Sequence, residues 1–502
     1  MGFALILAAA LLLLSPFIHA DQLGEELSYF GSLLDANITI QDRALVESPQ
    51  DILVSVSATN PYSQPMPVYV IRNRGWGWEV VKLVGALAPN ARTTIELEVE
   101  VRYEKLPEKS TRYAVVARGE DGSLYGKYFD IVEDWKPYEN GIQQSLSFAM
   151  STVLPVAVVL LVVLLAIVAR VAYFSKSPGV DAGEYTMKSV VFPEVEGRPF
   201  EEKAADLLMH PLILVVELVC VGAIALVMHE TLTQSGSQQD ALQLIILSGV
   251  ASFIVPFLYF AAAWYFEKRE ERKPLRFFGG IFVWGMFAAF CSLLISSYLV
   301  GQLQLQELAP YAGVIAIMLI APIVEETMKG IGVLFMSGHH EYNDTLTGLL
   351  LGFTAGVGFA FVENWFYFAS KTNPFDVGLA TWTTLVVYRS FFNSLAHGCF
   401  TAIISAPIGY LRSNPSLKRY ARFAFVPALF LAVAIHSIFN LSALADGFAV
   451  ANNEVPFFIF NPLLIIILAS AFFLVLVLAT IDEKKRKVAE KEMMGKKYAK
   501  AA

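Results

Sequence analysis

The chain has 502 residues, of which 56% are hydrophobic and only 16% charged, with a formal net charge of −8. That composition excludes an ordinary soluble globular protein and an intrinsically disordered one, and it fits a polytopic membrane protein. Three cysteines, Cys220, Cys291 and Cys399, all fall within apolar runs, offer no CxxC pair and exclude a disulfide framework.

In chain order, residues 1–20 read as a signal peptide, with an apolar run over 4–18 and a small residue at the end of Ile18-His19-Ala20. The usual N-terminal positive charge is missing, and an uncleaved anchor is the alternative. Residues 21–145 are of ordinary polarity and alternate with period two around 52–58, 68–71, 78–83, 94–102 and 113–117. Turn-formers at Asn60-Pro61, Pro89-Asn90 and Gly119 to Gly122 separate them, so the expectation is an N-terminal extracytoplasmic β-sandwich-like domain. Asn37-Ile38-Thr39 is a sequon, a triplet common by chance. Nothing in this domain is catalytic in type, and partner or substrate binding is one expected use for it.

From residue 148 the chain is a series of apolar spans, each of the roughly 20 residues that a bilayer core requires. About nine transmembrane helices are expected: 148–172, 209–229, 241–266, 277–301, 311–336, 347–370, 383–410, 423–445 and 457–480. The first follows the β domain and leads into a polar connector, 173–208; the other eight form a bundle over 209–480. Basic residues crowd alternate links: Arg269, Arg272, Lys273 and Arg276, then Arg412, Lys418, Arg419 and Arg422, then a basic tail over 481–502. The loops at 230–240, 302–310 and 446–456 hold no Lys or Arg. The positive-inside rule therefore expects a multi-pass cell-membrane protein with a cytoplasmic tail and connector and an extracytoplasmic N-terminal domain. The tail's charge run is read as a solvated topology anchor against anionic lipid, and no nucleic-acid partner is expected.

The informative residues are the polar ones inside these spans, because buried charge in hydrocarbon is costly and marks function. Glu325 and Glu326 stand inside an otherwise aliphatic span, with Lys329 one turn on. A purely structural explanation pairs Glu325 with Lys329 at i,i+4 and leaves Glu326, about 100° round the helix, unpartnered. The next span places Glu363 and Asn364 in an aromatic stretch, where Gly348, Gly352, Gly356 and Ala360 recur every four residues and offer a smooth face to another helix. Arg389, Asn393, His397 and Thr401 follow at four-residue steps, and His436 and Asn440 lie one turn apart on the span after. At about 1.5 Å per residue across a core about 30 Å thick, Glu325, Glu363, His397 and His436 can share a layer near the midplane. Glu217 also lies mid-span, with pairing to Lys329 or Arg389 its only expected role.

Glutamates and histidines around a wet intramembrane site suit hydrolysis. A buried carboxylate takes a proton from water, a histidine relays it, and a histidine with an amide supplies oxyanion donors. The same side chains, Glu326, Glu363, His397 and His436, could instead ligate zinc. His-Glu-x-x-His is absent, as are the Gly-x-Ser-Gly and Gly-x-Gly-Asp patterns of serine and aspartyl intramembrane proteases. A proton-coupled transporter or a non-catalytic scaffold is a further alternative, since buried Glu and His also build proton relays.

Glu325-Glu326-x-x-Lys329, Phe359-x-x-x-Glu363-Asn364, Arg389 with His397 downstream, and His436-x-x-x-Asn440 together resemble the PrsW-type intramembrane proteases, relatives of the CAAX prenyl-protease superfamily. The resemblance covers about 240–480. It implies a metal-independent, glutamic-type intramembrane endopeptidase acting on a membrane-anchored protein substrate, with Glu325 and Glu326 at the water. His397 or Glu363 then assists that pair, His436 and Asn440 serve the oxyanion, and Lys329, Asn364, Arg389 and Asn393 are in support. No cofactor is expected on this reading; zinc is the alternative. In the prenyl proteases the phenylalanine motif ends in histidine, whereas here it ends in Glu363.

Overall fold

The computed structural model describes residues 43–46, 52–59, 63, 65–73, 78–89, 91–99, 108–118, 124–174, 200–233, 238–270, 275–304, 309–451 and 459–501. The expected signal peptide, the sequon, the turn at 119–122 and most of the polar connector lie outside them. The chain divides into two compact units, Met1–Ser145 and Leu146–Ala502.

The first unit is β-rich. Its described strands are β1 (Arg43–Val46), β2 (Ile52–Thr59), β3 (Met66–Asn73), β4 (Trp78–Leu87), β5 (Arg92–Val99), β6 (Glu108–Arg118) and β7 (Leu124–Asp134). They form a five-stranded sheet in the order β1-β7-β6-β3-β4 and a two-stranded sheet, β2-β5. Alternation does its usual work: Ile71, Ala114 and Val116 point to one buried face, while Arg112 on β6 pairs across the ladder with Asp130 on β7 at 2.9 Å. The five alternating stretches became β2 to β6. Strands β1 and β7 were not expected, and β1 joins β7 in parallel. The sandwich expectation is met only to the extent of two sheets of unequal size.

The second unit is helical. Helix α1 (Lys136–Phe148) starts in the first unit and ends in the second, followed by α2 (Leu154–Phe174), α3 (Phe200–Leu208), α4 (Pro211–Thr233), α5 (Gln238–Glu270) and α6 (Leu275–Gln304). There follow α7 (Ala312–Ile315), α8 (Ala321–Met336), α9 (Thr345–Phe366), α10 (Pro374–Val377), α11 (Leu379–Tyr388), α12 (Ser394–Ser413), α13 (Phe425–Ala451) and α14 (Phe460–Ala501). Among the described residues eight helices are long and apolar enough to cross a membrane. The expected span at 311–336 is not one of them. It is α7, a π-helical stretch Ala316–Ile320, and then α8, which carries Glu325, Glu326 and Lys329. All three cysteines are free.

Helix α9 is the central post, buried along nearly its whole length. The glycine stripe expected to admit a close neighbour does so, and the neighbour is α12. A Cβ at Gly356 would collide with the carbonyl of His397, and one at Gly352 or Gly348 would crowd the backbone at Thr401 or Ser405. Gly358, on another side of α9, meets the backbone of Phe282 on α6 in the same way. Trp365 of α9 donates its indole N–H to the carbonyl of Ile245 on α5 at 2.9 Å. At the far end, the carboxylate of Asp446 accepts from the backbone N–H groups of Ile459, Phe460 and Asn461 and so caps α14. These contacts fix α8, α9, α12 and α13, the four helices that carry the polar residues.

Candidate active site

Five of the expected residues meet in one buried knot built from α8, α9, α12 and α13. Glu326 and Lys329, both fully buried, pair within α8 at 2.5 Å. The pairing expected from spacing, Glu325 with Lys329, is not made; the i,i+3 partner takes the lysine instead. The same Glu326 oxygen lies 2.8 Å from Nδ1 of His436, so α13 is tied to α8 through a carboxylate–imidazole bond. Lys329 also reaches Nδ1 of His397 at 3.1 Å and sits 4.3 Å above the ring of Phe359.

His397 continues the chain of contacts. Its Nε2 lies 2.9 Å from a carboxylate oxygen of Glu363, which also accepts from Nδ2 of Asn393 at 3.1 Å. The other Glu363 oxygen accepts from Arg389 at 3.0 Å. Arg389 in turn donates to the side chain of Asn364 at 3.1 Å and lies 3.8 Å over the ring of Tyr367. Asn364 donates back to the Arg389 carbonyl and contacts Ser394, each at 3.3 Å. Of the four expected supporting residues, Lys329, Arg389 and Asn393 hold carboxylates or the histidine, and Asn364 holds Arg389 and Asn393. Thr401, the fourth member of the expected stripe, only bonds to the His397 carbonyl.

Glu325 is held less firmly than its neighbour Glu326. Its side chain is 14% exposed, and its Oε2 lies 3.9 Å from Nε2 of His436 with no hydrogen-bond partner of its own. That distance is too long for a hydrogen bond and leaves room for one water, about 2.8 Å from each atom, to bridge it. The other Glu326 oxygen likewise has no partner. Buried polar atoms without partners are rare, and catalytic groups are one recurrent cause.

Asn440 is not brought to this cluster. Its amide donates to the carbonyl of Ile317, at 2.8 Å, in the π-helical stretch before α8. Widened π turns recur around the site: Ala316–Ile320 precedes the glutamate pair, Tyr367–Lys371 follows Glu363, and Arg389–Asn393 precedes His397. Such turns rotate the following residues relative to a plain α-helix and leave carbonyls for other partners. Glu217 is buried on α4 with an unpartnered Oε2, and it pairs with neither Lys329 nor Arg389. Among residues the spacing argument did not assign, Phe359 stacks on His397 at 5.3 Å and Phe400 on His436 at 4.7 Å. Phe400 lies one turn beyond His397, a signal the sequence did contain.

Glu325, His397 and His436 each offer one atom, all within 4.8 Å of one another, as metal ligands would. This set differs from the one expected, because Glu326 is taken by Lys329. His436 suits a ligand: Glu326 accepts from its Nδ1 and leaves Nε2 bare. His397 does not suit the role in this arrangement. An ammonium can only donate, so Lys329 makes Nδ1 an acceptor, places the ring proton on Nε2, and directs it to Glu363. The donor set therefore fits a metal at two positions of three.

The family described as "PrsW family intramembrane metalloprotease" matches residues 273–475. That stretch of the chain is similar to the family. Within it lie α6 to α13, the first turns of α14 and every residue of the knot. Protease PrsW of Geobacillus kaustophilus (strain HTA426) is 24% identical over 202 residues, covering 40% of this chain and 80% of that protein. No solved structure matches the chain. The matched stretch begins within the link before α6, so the β unit and α1 to α5 stand outside it.

Proposed function

We propose that this protein is an intramembrane endopeptidase that hydrolyses peptide bonds of membrane-anchored proteins, with Glu325 as the base that activates water. The observation that carries this is the contrast between the two neighbouring glutamates. Glu326 is bound on one oxygen by a lysine and a histidine, whereas Glu325 keeps an unpartnered oxygen facing His436.

A water between Glu325 and His436 gives one proton to the Glu325 carboxylate while its oxygen adds to the scissile carbonyl carbon. For this step His436, with its Nδ1–H directed to Glu326, has to bring a proton on Nε2 as well. It donates first to the developing oxyanion, and Glu325 then returns its proton to the leaving nitrogen as the C–N bond breaks. Glu326 accepts from Nδ1 and holds the imidazole in orientation, the part a buried carboxylate plays beside a catalytic histidine. Lys329 neutralises Glu326 and directs His397 toward Glu363. Asn440 acts on this reading through Ile317, fixing α13 against the turn that presents the glutamates.

A metal-dependent hydrolase is the second reading, favoured by the description of the matching family and by the proximity of Glu325, His397 and His436. A bound zinc would supply Lewis-acid polarisation and a more acidic water. It requires His397 to carry its proton on Nδ1, the atom that Lys329 now contacts, so the lysine would have to give way.

Reconstituted full-length protein incubated with single-span substrates separates the two. Cleavage that persists in a strong chelator supports the glutamate base. Cleavage abolished by chelator and restored by zinc supports the metal. On either reading, the protein that accumulates uncut in cells carrying Glu325→Gln identifies the substrate. We also propose that the N-terminal domain lies outside the cytoplasm, a reading supported by the distribution of Lys and Arg, and that it captures substrate or a partner there.

A further inference from the structure

At the end of the bundle remote from the knot lies a polar cleft of about 510 Å³. Its walls are the segment after α8 (Ser337, Gly338, His340), the last turn of α12 (Arg412) and the 3₁₀ turn Lys418–Ala424 that leads into α13. Four cations line it, Arg412, Lys418, Arg419 and Arg422, against one carboxylate, Glu202 of α3. Glu202 is itself turned to His340, 3.6 Å from its Nδ1. Arg412 donates to the carbonyl of His339 at 3.2 Å, and Tyr342 donates to the carbonyl of Ser405 at 2.7 Å, so the segment after α8 is fastened to α12. Lys418, Arg419 and Arg422 are exposed.

We propose that this cleft binds a phosphate-bearing anion, the headgroup of an anionic phospholipid. Basic pockets between the ends of spanning helices are suited to such headgroups. Three observations favour lipid over free phosphate. The apolar span Leu379–Ser413 ends at the cleft and the span Lys418–Gly447 begins there, which sets the cations at headgroup level. An apolar groove of about 640 Å³, lined by Ile403, Tyr410, Ala424, Pro427 and Leu431, starts on the same turns of α12 and the 3₁₀ segment and can take an acyl chain. Arginine forks also match phosphate oxygens in pairs.

The placement has a consequence for the knot. The cleft joins the ends of the three elements that carry Glu325, Glu326 and Lys329 (α8), His397 (α12) and His436 (α13). A headgroup bridging them ties those helices together at one end. Binding itself does not depend on the proposed chemistry and is read without it.

The test uses full-length protein in nanodiscs of phosphatidylcholine, with or without phosphatidylglycerol, read by retained lipid in native mass spectrometry and by thermal unfolding. Wild type is expected to retain phosphatidylglycerol and to unfold at a higher temperature in its presence. The triple variant Lys418→Gln/Arg419→Gln/Arg422→Gln, altered only at exposed side chains, is expected to lose the shift while matching wild type in phosphatidylcholine. Each cation removed lowers retention roughly fivefold. Glu202→Gln, which removes the opposing charge, is expected to raise retention. Equal retention by wild type and the triple variant, or no preference over phosphatidylcholine, overturns the proposal. Inorganic phosphate reproducing the whole shift in pure phosphatidylcholine overturns the lipid assignment in favour of a soluble phosphate.

Discussion

Lys329 contacts Nδ1 of His397 at 3.1 Å, across two helices and with both side chains buried. Since the ammonium can only donate, this contact decides which way the imidazole proton points, and Glu363 receives it. Lys329 thereby sets two charges at once, because its other partner is Glu326.

Removing the lysine is therefore expected to harm the fold as well as the chemistry. Lys329→Met strands a buried carboxylate, and breaking such a pair costs about 3–5 kcal/mol. The double variant Lys329→Met/Glu326→Leu, which removes both charges, is expected to recover most of the lost thermal stability in detergent. It is expected to remain inactive, because His436 then has no acceptor at Nδ1.

The same pair shows where the sequence was readable and where it was not. Burial of Glu325, Glu326, Lys329, Glu363, Arg389, Asn393, His397 and His436 in apolar spans marked them as a group, because charge in hydrocarbon has few structural excuses. Spacing could not decide which glutamate takes Lys329. Both i,i+3 and i,i+4 reach on a helix, and the choice follows from which face of α8 meets His436. Nor could it foresee that Asn440, one turn from His436, turns to the Ile317 carbonyl beside a π turn. A widened turn has no composition of its own. Strand β7 was missed because Gly126 and Lys127 interrupt its alternation, and β1 because four residues carry little periodicity.

Helix α9 must approach α12 closely for Glu363 to reach His397. Gly356→Ala inserts a methyl against the His397 carbonyl, and overpacking of this kind costs about 1–3 kcal/mol. Lower unfolding temperature and reduced cleavage are both expected. Gly222→Ala, where a Cβ meets nothing within 4 Å, is the control and is expected to be neutral or slightly stabilising.

Arg389 spans Asn364 and Glu363 with separate nitrogens while lying over Tyr367. It is a positioning residue, and its planar fork has no equivalent in lysine. Arg389→Gln and Arg389→Lys are both expected to lower kcat, by roughly 10- to 100-fold, the cost of a small misplacement at a catalytic centre, with KM little changed. Rescue of kcat by the lysine variant would show that charge alone suffices there.

The central claim is that Glu325, and not its neighbour, takes the proton from water. Single-turnover cleavage of one membrane-anchored substrate by Glu325→Gln protein in proteoliposomes tests it most directly, with thermal unfolding measured alongside. The account predicts a loss of about 10²- to 10⁴-fold in rate, typical of a missing general base, with the unfolding temperature of wild type. Cleavage at the wild-type rate by Glu325→Gln would contradict it.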